Sequence, residues 1–257
     1  MKKHQRYFPV QVRSATSDVP APDTSHTTPR TLLPYFITVA NKPKSTSQDF
    51  EDIVRGNEDV IRARFADAAY FVDEDREKDL EDFLEPLQKL TFQHDLGSML
   101  DKSKRIERLV GELAPMLNLS MKETETARRA AHLCKADLAS QMVVEMTSLQ
   151  GVMGYYYALH SDEPEAVAAA IREHYLPRSS DGRVPESKAG LTVGIADRLD
   201  SLAGLFAAGL IPTGNKDPFA LRRVALGLVG NLIAWDLDFD LRTALQTAAE
   251  NLPIEAN

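Results

Sequence analysis

Two aspartates and one histidine–aspartate pair supply the first chemistry to consider. Asp137 and Asp197 lie in stretches of helical apolar spacing, and His94 stands directly before Asp95 in LTFQHDLG. Carboxylate and imidazole are the groups that hold a hydrolytic metal ion, provided they converge and leave a position for an activated water. Neighbours on a helix point about 100° apart, so His94 and Asp95 would not face one ion from a helix. Asp137 follows Lys135 and Ala136, and an ammonium repels a cation. The expectation is therefore no metal, with Asp137 and Asp197 as the weak candidates. Their bland alternative is pairing within helices, where Asp197 and Asp200 could cap or meet Arg198, Arg222 or Arg223. His132, His160 and His174 have no partner at recognisable metal spacing. No serine, histidine and acid set announces a nucleophile, and PTGNKDP has neither a Walker nor a dinucleotide-binding spacing. No catalytic residue is assigned.

Basic residues offer a second chemistry, contact with a phosphate backbone or with an acidic partner. Lys102, Lys104 and Arg105, with Arg108, share one helical stretch, Arg128 and Arg129 another, and Lys216, Arg222 and Arg223 a third. Each cluster is usually just a solvated face; the last two arginines are equally readable as internal pairing and as contact with RNA or a partner chain. Tyr155, Tyr156 and Tyr157 in QGVMGYYYALH could stack on unpaired bases, but packing around a glycine bend is the preferred reading. Asp73 to Asp82 reads as exposed helix surface.

The whole chain limits these options. Its 257 residues are 43% hydrophobic and 26% charged, an ordinary globular balance. A net charge of −8 argues against nonspecific coating of nucleic acid, so any RNA contact must be a local basic patch, and no DNA partner is expected. No apolar run approaches the roughly 20 residues that span a bilayer. His4, Gln5 and Arg6 stand where the apolar core of a signal peptide would begin. Cys134 is the only cysteine, so no internal disulfide can form; a reducing cytoplasm and a packing role fit it.

The elements that must position these residues are mostly helical. Gln5–Val12 and Leu32–Val39 read as strands, joined by a Ser/Thr/Pro-rich insert over 13–31 that can bury little. Two strands alone are marginal, so residues 1–40 read as the remnant of a preceding β-containing domain. From 41 to 257 the spacing predicts a helical domain. Asn57 suits a helix start. Ser120 and Glu123 form a capping-box pattern, followed by one apolar face through Ala127, Ala130, Cys134, Asp137 and Gln141 until Gly151 ends or kinks it. Asp162 and Glu165 predict another box before a helix reaching about Tyr175. A helix after Ser187 carries Leu191, Ile195, Leu199, Leu202 and Phe206, closed by Gly209 and Pro212. Asp217 as N-cap and Pro218 at the first turn open a last helix to Ala234 or Trp235.

The segment IADRLDSLAGLFAAGLIPTGNKDPFALRR (195–223) closely resembles the β subunit of the two-chain bacterial glycyl-tRNA synthetase. Further matching wording follows in family order: QRYF (5–8), LPYFITVAN (33–41), GNEDVIRARFADAAYF (56–71), LGSMLDKSKRI (96–106), CKADLASQMVVEMTSLQGVMGYYYA (134–158) and EHYLPR (173–178). The resemblance implies a mainly α, HD-domain-like helical bundle with a small N-terminal β remnant, and a chain that is the middle of a longer protein. It also implies a role in holding glycine tRNA and assembling with an α subunit. The complete enzyme joins glycine to tRNA with ATP and Mg on the α chain, leaving this chain without a cofactor or active site. HD-type metal phosphohydrolases have a histidine, a His-Asp pair and a distant aspartate as ligands; this chain has Gln93 at the first position and Lys135 and Ala136 at the pair. Such a hydrolase, or a helical adaptor that binds only protein, are the alternatives.

Overall fold

The computed structural model describes residues 7–11, 32–39, 47–178 and 182–255, so the insert over 13–31 lies outside the described residues. The chain forms two compact units, Met1–Arg62 and Ala63–Asn257. The protein is mainly α, with a small N-terminal β part.

In the first unit, β1 (Phe8–Gln11) pairs antiparallel with β2 (Leu32–Ile37), placing Phe8 opposite Ile37 and Pro9 opposite Phe36. Tyr7 lies before β1 and β2 ends short of Val39; Gln5, Arg6 and Val12 of the expected first strand lie outside the described residues. Helix α1 runs without a break from Ser47 to Asp75, so Asn57 is not its start. The Asn57 side chain instead donates to the Ile53 carbonyl (2.7 Å) and accepts from the Tyr7 hydroxyl (2.9 Å). Its amide is satisfied by a carbonyl one turn back in the same helix and by one tertiary partner, rather than at a helix terminus.

The second unit is built around one buried helix. After α1 and two 3₁₀ turns (Leu80–Phe83, Glu85–Lys89), a short hairpin of β3 (Thr91–Gln93) and β4 (Gly97–Ser98) leads into α2 (Met99–Met116). Next come α3 (Met121–Leu133), α4 (Gln141–Glu145), α5 (Val152–His160), α6 (Glu165–Glu173), α7 (Lys188–Ala207), α8 (Leu221–Ala234) and α9 (Leu241–Glu250). Helix α7 is the axis: α2, α3, α6, α8 and α9 all pack on it. Its small residues permit this closeness, for a Cβ at Gly194 would meet the His174 carbonyl at 2.9 Å. Leu191, Ile195 and Leu199 of the expected stripe are buried, whereas Phe206 is exposed. A smaller cluster of Leu96, Leu205 and Leu221, with Phe92 and Leu252, ties the hairpin and the C-terminal turn to α7 and α8.

Local chemistry sets most boundaries, though not always where the sequence places them. Ser120 and Glu123 make the expected reciprocal cap. The face leading to Asp137 is not one helix: α3 stops at Leu133, a 3₁₀ turn covers Ala136–Ala139, and Ser140 caps α4. Gly151 begins α5 rather than ending a longer helix, at φ 74°, where an L side chain would be strained. Asp162 and Glu165 make no box; α6 starts behind Pro164 and Asp162 takes φ 57°. Helix α8 starts at Leu221, not Pro218. Asp217 nevertheless caps it from outside, accepting from the Leu221 amide (2.7 Å) and the Arg222 amide (3.0 Å).

Candidate functional site

The residues with chemistry gather where α2, α6 and α7 meet the 3₁₀ turn after α3. Spacing of three on α2 turns Lys102 and Arg105 inward, and Asp197, Arg198 and Asp200 come from a single turn of α7. The Lys102 ammonium contacts Asp197 Oδ1 (2.9 Å), Asp200 Oδ2 (2.8 Å) and Ser201 Oγ (2.8 Å). Arg105 donates through Nε to Asp200 Oδ1 (2.5 Å) and through Nη1 to the Leu96 carbonyl (2.8 Å). Both side chains are nearly inaccessible, so neither can reach RNA or a partner from the folded chain. This corrects their placement as surface candidates: pairing with two buried carboxylates requires them inside.

Lys135 and His174 complete the group. The Lys135 ammonium bridges Asp197 Oδ2 (2.8 Å) and His174 Nε2 (2.9 Å), beneath the ring of Tyr175 at 4.3 Å. His174 Nδ1 donates to the Ile171 carbonyl (2.6 Å), which leaves Nε2 as the acceptor for the lysine. Burial, reinforced by the neighbouring Lys135 charge, holds this imidazole neutral, well below its usual pKa. Burial pushes the Asp197 carboxyl the other way, but Lys102 and Lys135 more than offset it and keep Asp197 ionised. Arg198 lies alongside, donating to the carbonyls of His174 (3.0 Å), Gly194 (2.9 Å) and Leu176 (2.6 Å).

Three buried cations, Lys102, Arg105 and Lys135, thus pair with two carboxylates, while Arg198 is held by carbonyls. An imidazole and a carboxylate do converge, but an ammonium sits between them, and these residues do not fit a divalent metal. Among the described residues, no three His, Cys, Asp or Glu side chains group as metal ligands. Asp137 is apart from this network: its Oδ2 accepts from the Gly151 (2.5 Å) and Gly154 (2.9 Å) amides, anchoring the start of α5. Burial pushes its carboxyl up to about 6 despite those two hydrogen bonds. His94 and Asp95 form a turn between β3 and β4, not a helix, and His94 is almost fully exposed.

The remaining basic candidates separate into bound and free. Arg129 clasps Glu163 and Glu81, so its role is internal to the unit. Lys104 and Arg128 are exposed on α2 and α3. Lys216 is exposed in the turn before α8, while Arg222 and Arg223 project from the first turn of α8 beside a concavity of about 700 Å³. Asp197 and Asp200 are consumed by Lys102, Arg105 and Lys135, and therefore do not pair with Arg222 or Arg223. Tyr157 is buried, and its hydroxyl donates to Asp75 (2.7 Å); Tyr156 is exposed.

Sequence reasoning missed Asp75. Far from exposed, it accepts from the Gln141 (2.8 Å) and Met142 (3.0 Å) amides and from Tyr157, so it caps α4 from 66 residues away. Nothing local signals such a partner. Lys135 and His174 each had a visible identity but no visible relation, because their contact spans 39 residues.

This helical unit spends most of its buried ionisable groups on one another. Residues 1–257 match the family model for the glycyl-tRNA synthetase beta subunit. Glycine–tRNA ligase β subunits are similar throughout: that of Moorella thermoacetica is 45% identical over 250 residues, covering 97% of this chain and 33% of the relative. The Pseudomonas entomophila β subunit is 47% identical over 219 residues (85% and 31%), and that of Coxiella burnetii 43% over 255 (99% and 34%). The chain belongs to the glycyl-tRNA synthetase beta subunit family. It spans about a third of the length of the curated relatives it matches.

Proposed function

We propose that this chain serves as a non-catalytic part of glycine–tRNA ligase, supporting tRNA binding and assembly with an α subunit that carries ATP-dependent glycylation. The family match over residues 1–257 carries this reading. The interior supports it, because the groups a hydrolase would need are locked in ion pairs and leave no place for an activated water. Of the basic candidates, Lys104, Arg108, Arg128, Lys216, Arg222 and Arg223 are exposed and available for RNA or partner contact. Glycine tRNA and the α subunit are the partners, ATP with Mg acts on the α chain, and the setting is cytoplasmic. No helix of the described residues is long and apolar enough to cross a membrane.

The test is reconstitution. A complete β subunit carrying this sequence, mixed with an α subunit, ATP and glycine tRNA, is expected to charge the tRNA, and deletion of residues 63–255 to abolish tRNA retention by the complex. Undiminished tRNA retention and charging after that deletion would reject the proposal. Phosphate release from nucleotides by the chain alone would favour the hydrolase instead.

A further inference from the structure

The concavity beside α8 has a composition that the interior does not explain. Pro177, Gly182 and Val184 form one wall, and Ala220, Arg222, Arg223, Leu226, Gly227 and Gly230 the other. The indole of Trp235 donates to the Pro185 carbonyl (2.9 Å), fixing the first wall next to the helix. Two glycines one helical turn apart remove side chains from the floor: a Cβ at Gly230 would meet nothing within 4 Å. A Cβ at Gly227 would stand 3.1 Å from Arg198 Nε, so a third guanidinium lies directly under the floor.

Charge is unbalanced here. Arg198 donates to three carbonyls and lies within ion-pair distance of no described carboxylate. The side chains of Arg222 and Arg223 are exposed and make no hydrogen bond or ion pair with a described residue. Among the described residues Asp217 is the lone acid of the lining, and both its oxygens are taken by the Leu221 and Arg222 amides. Three guanidinium groups thus converge on a concavity with one already engaged carboxylate. On a chain of net charge −8, such a local imbalance presents an attractive spot for an anion.

We infer that this concavity seats a phosphate of a single-stranded polynucleotide, with Arg222 and Arg223 donating to its oxygens. The planar guanidinium fork matches two phosphate oxygens at once. Glycine at 227 and 230 lets the sugar–phosphate chain approach the helix backbone, and Arg198 adds field from below without contact. Leu226, 74% exposed, and Val184 supply an apolar edge for a ribose or base. The ligand's source rests on the tRNA-support reading above; the charge and shape of the seat do not.

The experiment measures binding of a fluorescent single-stranded RNA to the 257-residue chain across a salt series, with AMP as competitor. Arg222→Gln/Arg223→Gln is expected to weaken binding about tenfold or more and to lower the salt slope by about one to two. Gly230→Glu keeps both arginines and places a carboxylate in open space; it is expected to weaken binding comparably with an unchanged melting temperature. Lys122→Gln, on an exposed face elsewhere, is expected to bind like the parent. Unchanged affinity and slope in both pocket variants, or no RNA binding by the parent chain at low salt, would overturn the seat. So would tight AMP binding without RNA binding. Loss of α-subunit capture by these variants with RNA affinity retained would make the surface a protein interface instead. A chain that binds RNA through the seat yet fails to join an α subunit sinks the assembly reading alone.

Discussion

Lys102 and Lys104 sit two residues apart on α2, and they do opposite things. Lys102 turns inward to two aspartates, whereas Lys104 remains in solvent. The same contrast separates Arg105 and Lys135 from Arg222 and Arg223. A step of two on a helix rotates a side chain by roughly 200°, so identical chemistry is assigned to interior architecture or to surface recognition by phase alone. A basic run in the sequence is therefore not one patch. The interior set is coupled through shared carboxylates and should be costly to disturb; the surface set is uncoupled and should be cheap in stability.

The strongest way to break that contrast is Asp200→Ala. It removes the acceptor of Arg105 and one acceptor of Lys102, leaving buried cations short of counter-charge. Removing one partner of a buried pair costs about 3–5 kcal/mol. A chemical-denaturation midpoint within error of the parent would show the interior network to be as dispensable as the surface set.

Asp137→Asn sharpens the interior side through pH. With its folded pKa raised to about 6 against roughly 3.9 unfolded, Asp137 binds its proton more tightly when folded. Its ionisation therefore destabilises the fold: the penalty is absent below pH 4, grows between about 4 and 6, and is complete above. The two-unit gap corresponds to about 3 kcal/mol. Asparagine keeps an oxygen for the Gly151 and Gly154 amides but cannot ionise. The stability difference between variant and parent is expected to shift by about that amount in favour of the variant from pH 4 to pH 7. His174, held neutral, acts in the opposite sense as its unfolded form protonates below about 6.5, so the parent's own profile shows only the balance. A pH-independent difference would mean that Asp137 is solvated.

What the sequence made legible follows the range of the interactions. Ser120 with Glu123 and Asp217 before α8 act within five residues, and each was readable as a cap; Ser187 was readable only as the point where α7 begins. The hairpin at 91–98 and helix α9 were passed over, although Asp240 accepting from the Thr243 amide is a cap of the same local kind. Asn57 misled because a good capping residue is also a good tertiary hydrogen-bonding residue. Asp75, Lys135 and His174 were illegible for a deeper reason: their partners lie 39 to 82 residues away. In the candidate site, residue types pointed to a metal or to a basic surface, and only the fold could show that Lys135 occupies the space between imidazole and carboxylate.

Arg129 tests the boundary between the two sets. It is about one-third exposed and paired to Glu163 and Glu81, so it belongs to neither extreme. Arg129→Ala is expected to cost about 1 kcal/mol, because solvent screens part of the pairing and the freed Glu81 can hydrate. Thermal unfolding at low and high salt reads this directly: the loss should shrink as salt rises, whereas the loss from Asp200→Ala should persist. Equal salt sensitivity would erase the distinction between screened and buried pairs.

The smallest effect on stability falls on Lys104 and Lys216. Each is exposed and clasps no carboxylate among the described residues, so replacement by Gln should change stability by less than about 0.5 kcal/mol. Their importance, if they contact tRNA, lies in binding, where losing a phosphate contact lowers affinity across sequences and reduces the salt dependence by about one counterion each. Measuring both quantities on the same variants separates architecture from recognition: interior changes lower stability first, surface changes lower affinity without moving the melting temperature. A Lys104→Gln variant that melts early would place Lys104 with the interior set despite its exposure, and phase on α2 would no longer explain which basic residues build the fold and which meet the ligand.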